Sequence, residues 1–298
     1  MSTLAQQRTR PVRSWVRGAA DVQTRALAAG LAAIGAGLAT VALLGPLATG
    51  LIDYRVTETL RNQTIGLDAV SLFVVTPLAV LAAVLVLRRH VAGLTLAVSV
   101  GAYTTYMFLQ YILGPDYASL PGNNERAFPL FVVLFAAGWL IAVAAWRALS
   151  AETLSGTRRR DRTIAAILGV LAFLTFVRYL PALADWMSAR PDDAGYLAGP
   201  GFAWAIAMLD LGIVMPATVA ACLGLARGTP WGRKLAYAVG GWFGLVGSAV
   251  AAMAITMYVN DDPSSSGGNA IFMTALGIAF AALAVGLYRS LVSARGEA

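Results

Sequence analysis

Two ionisable side chains lie well inside long apolar stretches of this sequence, Arg178 and Asp210. A charge in hydrocarbon is costly, so such residues are retained where they pair or work, and they are the first candidates for chemistry. Asp210 falls about eight residues from one end of its stretch, and Arg178 about eight residues before the same-side end of the preceding one. At the helical rise both sit roughly 12 Å deep. Opposite charges at matched depth on consecutive antiparallel segments predict an ion pair: either a structural bridge between the two helices, or one lining an outward cavity that binds a charged group or carries a proton.

Other polar groups cluster at that level. Asp68 reads as a first-turn residue of its helix, where a carboxylate complements the positive helix end. Tyr103, Tyr106 and Gln110 follow three- and four-residue spacing, hence one helix face. Deep tyrosine hydroxyls need partners. The expectation is one polar cavity, open to the outside, walled by the second, third, fifth and sixth segments. Its candidate binding residues are Arg178, Asp210, Asp68, Tyr103, Tyr106 and Gln110. Tyr111 and Tyr117 read as interfacial belt residues.

Several chemistries find no residues here. His90 is the single histidine, beside two arginines at a segment edge, and Cys222 is the single cysteine. Those counts leave no disulfide framework and none of the common zinc sets. No phosphate-cradling glycine loop, paired Asp-rich motif or intramembrane lysine occurs, and no nucleophile stands beside a legible base. The expectation is therefore no metal, no cofactor and no catalytic residue.

The elements that must position these groups are read from hydropathy. Of the 298 residues, 58% are hydrophobic and 12% charged, with mean hydropathy +0.70. Soluble domains carry about 25% charged residues. Apolar runs cover about Ala26–Ile52, Gly66–Leu87, Val91–Gly114, Ala127–Leu149, Thr163–Trp186, Gly201–Ala226, Leu235–Val259 and Ala270–Val292. Each is long enough to cross about 30 Å of hydrocarbon as a helix. The fold class is all-α integral membrane, with eight transmembrane helices and the lipid bilayer as principal partner.

The net charge of +7 is not a nucleic-acid footprint, because the basic residues are sorted by segment: 17 of the 22 Lys and Arg fall on one side. They include Arg8 to Arg25, Arg88, Arg89, Arg158 to Arg162, Arg227, Arg233 and Lys234. The positive-inside rule makes that side, and both termini, cytoplasmic. One Lys against 21 Arg suggests a GC-rich bacterial genome, and so a bacterial plasma membrane. The first run is too long for a signal core and reads as a retained helix.

Shifted by 139 positions the chain meets itself without gaps: Pro77–Gly101 and Pro216–Gly240 share nine identities, among them Pro77/Pro216, Arg88/Arg227 and Gly93/Gly232. This reads as two parallel four-helix repeats, with sites between the halves. The divisions are a basic arm over 1–24, a first half over 25–149, an Arg-rich linker over 150–162, a second half over 163–292 and a tail over 293–298. Ala236, Gly240, Gly244, Ser248 and Ala252 form a small-residue stripe for close helix approach.

Leu209-Asp210, Pro216 and Pro230-Trp231-Gly232, with Asp68 and Pro77-Leu78, resemble a group of uncharacterised bacterial multi-pass membrane proteins. The resemblance implies membrane residence and no chemistry. Three functions stay open: solute handling, for a small molecule or lipid; a non-catalytic subunit or sensor of a membrane complex; and a membrane-embedded enzyme acting on a lipid or isoprenoid through Asp210. The first leads.

Overall fold

The computed structural model describes residues 10–154 and 156–293, with side chains from 21 to 291. The rest of the basic arm and of the tail lies outside the described residues. Eight helices are long and apolar enough to cross a membrane. They are α1 (Arg10–Leu44), α2 (Glu58–Leu87), α3 (Val91–Leu113), α4 (Phe128–Ala148), α5 (Arg158–Trp186), α6 (Pro200–Ala226), α7 (Pro230–Val259) and α8 (Gly267–Ser293). No strand occurs among the described residues. The chain is an all-α, eight-span membrane protein, and its apolar spans imply contact with lipid.

Several helices start earlier than hydropathy suggests, α2 and α5 among them. α2 begins at Glu58, eight residues before its apolar run, because its polar first turns are covered by protein rather than lipid. Asn62 is buried, donates to Asp262 Oδ2 at 3.0 Å and accepts from Asn260 at 2.8 Å. Gly66 lets the α7 backbone approach, since a Cβ there would lie 2.5 Å from the Ala252 carbonyl. α5 begins at Arg158, capped by Thr157, so the arginines of the linker, Arg158 to Arg162, lie in its first turns.

α3 and α7 form the centre of the bundle. α3 packs on α2, α4 and α7, and α7 packs on α2, α6 and α8; α1 lies on α2 and α4, and α5 lies on α6. The small-residue stripe on α7 is taken by α8, with Leu287 over Gly240 and Ala284 over Gly244. It is an intramolecular crossing. Lipid-facing side chains such as Phe73, Trp139, Phe173 and Phe272 stay exposed on the outer helices.

The helical ladder widens into a π-turn twice, at Ser71–Val75 in α2 and at Asp210–Val214 in α6. Pro77 and Pro216 follow two residues after each. A proline has no N–H and its ring clashes with the carbonyl four residues back, so a widened turn ahead of it relieves the helix. Thr76 Oγ1 donates to the Ser71 carbonyl at 2.9 Å.

The two turns are separated by 139 residues, the sequence offset of the internal match, and other features follow that spacing. Arg89 and Gly228 both hold positive φ, 55° and 72°, between paired helices. Gly93 abuts the backbone of Leu85 and Val86, as Gly232 abuts that of Gly224 and Leu225. Ser99 Oγ donates to Ala238 O at 3.3 Å, so two positions 139 apart touch each other where α3 crosses α7.

Candidate functional site

Asp210 opens the π-turn of α6 and is held from two other helices. Tyr106 Oη of α3 donates to Oδ1 at 2.8 Å, and Tyr179 Oη of α5 donates to Oδ2 at 2.7 Å. The expected Arg178–Asp210 ion pair is not formed. The ion pairs among the described residues are Arg55–Glu125, Arg89–Asp21 and Arg233–Asp161. Helix phase explains the correction. Leu168, Ala172 and Tyr179 are buried at four- and seven-residue spacing, so the face of α5 turned to α6 belongs to Tyr179. Arg178, one residue off that stripe, is exposed, with Cζ 5.2 Å from the Tyr179 ring centroid. The carboxylate meets a hydroxyl where a guanidinium was expected.

Asp68 sits in a second network. It is not a first-turn residue: α2 starts ten residues earlier, which puts Asp68 roughly 15 Å along the helix and leaves it 1% exposed. Tyr111 Oη donates to its Oδ1 at 2.7 Å. Tyr111 is therefore not an interfacial belt residue; it is buried, edge-on to Phe108 and tilted against Tyr54 at 4.9 Å. One turn on, Ser71 and Tyr103 share a hydrogen bond of 2.9 Å.

The expected single cavity is thus divided. α3 turns Tyr103 and Tyr111 toward α2 but Tyr106 toward α6, where its ring also meets Trp242 edge-on at 5.2 Å. Gln110 is buried on α3 and shares none of these hydrogen bonds. Sequence reasoning missed Tyr179, Tyr54 and Ser71. The buried stripe of α5 was the signal for Tyr179; for Tyr54, in the loop after α1, no periodicity exists to read.

Above Asp210 the rings continue. Tyr179 meets Trp186 at 6.4 Å, and Trp186 stacks on Tyr196 at 5.4 Å and meets Trp204 edge-on at 5.5 Å. The indole N–H of Trp186 is buried with no acceptor. Asp185, Asp192 and Asp193 lie at that end of α5 and in the loop beyond it. A separate cleft, lined by Arg160, Asp161, Arg233, Tyr237 and Leu287, lies at the opposite, arginine-rich end.

Among the described residues no group of three His, Cys, Asp or Glu is placed to hold a metal ion. What the Asp210 arrangement offers is a fixed carboxylate with hydroxyls on both oxygens, rings leading to it and a guanidinium beside it. That can receive a positive or hydrogen-bond-donating group. The chain matches no family model, no curated protein and no solved structure.

Proposed function

We propose that the protein is a solute-handling, transporter-like protein of a bacterial plasma membrane, with both termini cytoplasmic and Asp210 as its binding carboxylate. The observation that carries this reading is the fixing of Asp210, at the start of a π-turn, by tyrosines from two other helices. π-turns recur at functional sites, and transporters place interrupted helices at their binding sites. The solute class is a small organic cation or amine. Aromatic faces attract cations, and here Trp186, Tyr196 and Tyr179 lead from an acidic end of the molecule to a carboxylate.

The shared 139-residue spacing of the π-turns, of the positive-φ turns and of the Gly93 and Gly232 contacts supports two parallel four-helix repeats that arose by duplication. The Ser99–Ala238 contact supports a pseudo-two-fold axis passing between α3 and α7. Kinship with the bacterial multi-pass group resembled by Asp68, Pro77 and Pro230-Trp231-Gly232 is part of the same reading and assigns no activity. The lipid-directed enzyme and the complex subunit rank behind it. The α7 stripe, the natural surface for a partner subunit, is covered by α8.

The test is binding of a panel of alkylammonium and amine ligands to the full chain in nanodiscs, read by tryptophan fluorescence. Asp210→Asn is expected to weaken the best ligand at least about tenfold, the effect of roughly 1.4 kcal/mol. Tyr179→Phe should weaken it by a smaller factor. A panel that binds nowhere, or binds Asp210→Asn as it binds the native chain, overturns the reading.

A further inference from the structure

We infer that Asp68 anchors a second site, sealed inside the first half of the bundle, that takes up a single monovalent cation, a proton or sodium. Its carboxylate is 1% exposed, yet only Oδ1 has a donor, the Tyr111 hydroxyl. Oδ2 has none. The hydroxyl of Tyr54, also buried, has no partner either. Two such orphans in one interior call for something between them, because a buried polar group without a partner is rare and costly.

The backbone shows where. Gly45 follows the last residue of α1, and at the position its missing Cβ would take, Asp68 Oδ2 lies 2.7 Å away, Val41 O 3.0 Å and the Tyr54 ring 3.7 Å. The Asp68 carboxylate thus packs directly against Gly45, beside the Val41 carbonyl that accepts the Gly45 N–H at 2.8 Å, and only a glycine leaves room for that approach. The unpartnered Oδ2 therefore lies at the C-terminal end of α1, where the helix field is negative and favours positive charge. The ionisable groups interacting with Asp68 are Tyr54, Tyr103 and Tyr111, all acids, and none brings a positive charge. None of the three ion pairs includes it. A bridging water could donate to both oxygens, but it leaves a bare negative charge in a low-dielectric interior. A proton on the carboxyl, or a sodium ion between carboxylate and carbonyl, satisfies the oxygens and cancels the charge together.

This site is separate from the Asp210 network and stands whether or not Asp210 binds a solute. The experiment is thermal unfolding of the full chain in nanodiscs. Sodium, potassium and choline chloride are compared at equal ionic strength, each over a pH series. Binding that favours the folded state raises the melting temperature by about 5–10 °C at roughly a hundredfold excess over Kd. Stabilisation by sodium over choline identifies the ion as sodium; stabilisation by falling pH alone identifies a proton. In either case Asp68→Asn, which keeps the Tyr111 acceptor, is expected to lose the dependence, while Asp210→Asn keeps it. If Asp68→Asn does not fold, the infrared carboxyl bands of the native chain answer instead: a buried carboxyl must change on sodium removal or on the pH step. Identical responses from the native chain and Asp68→Asn, or unchanged infrared bands, overturn the inference and leave a structural water.

Discussion

Asp262 shows how one side chain can join distant parts of a membrane protein. It lies in the loop between α7 and α8 and is 5% exposed. Burial pushes its carboxyl upward, but donors outweigh that: Ser264 gives its hydroxyl at 2.6 Å and its amide at 3.0 Å, and Asn62 of α2 gives its side-chain amide at 3.0 Å. The group is held below its ordinary value of about 3.9. The sign follows from linkage. A depressed folded value means that the unfolded chain binds the proton first, so the stabilisation is complete above about pH 4 and is lost as pH falls through the lower folded value. Asp262→Asn is expected to lower stability at neutral pH and to flatten the acid limb of a stability–pH curve. A parallel downward shift at every pH would show that its charge is not what acts. The same scale explains Arg178 and Tyr179, since adjacent residues on a helix point about 100° apart and one register step decides which of them meets Asp210.

At the scale of elements, the close crossings depend on glycine and the widened turns on proline. A Cβ on Gly232 would lie 2.3 Å from the Gly224 carbonyl carbon, backbone against backbone, whereas one on Gly286 meets nothing within 4 Å. Gly232→Ala should therefore cost about 1–3 kcal/mol through overpacking between α6 and α7. Gly286→Ala should be neutral or gain about 0.5–1 kcal/mol. Equal melting temperatures for the two variants would contradict the packing described. The early start of α2 belongs here too. Hydropathy finds helices that lipid covers, and the polar stretch from Glu58 to Thr64 buries one face, with Asn62 and Thr64, against α7 and the α7–α8 loop, so an average over apolar residues does not include it.

The molecule as a whole carries most of its arginines at one end and most of its acids at the other, which sets the expected orientation. With Cys222 replaced by Ser, single cysteines at Leu51 and Ala118 should react with an impermeant thiol reagent on intact cells. Cysteines at Ser150 and Glu152 should react only after permeabilisation. The reverse pattern would invert the topology. Composition by itself determined the solvent, the number of spans and this sorting of charge, because each depends on one-dimensional sums that survive any packing. The 139-residue match also lay in the sequence, through Pro77, Gly93 and their counterparts. Which residues meet was decided by tertiary structure alone. The phase of α5 gave Asp210 to Tyr179, the early start of α2 buried Asp68, and the two directions in which α3 sends its tyrosines turned one expected cavity into two separate networks. Those outcomes rest on rotations of a single residue step and on contacts between segments far apart in the chain, and neither leaves a trace in hydropathy.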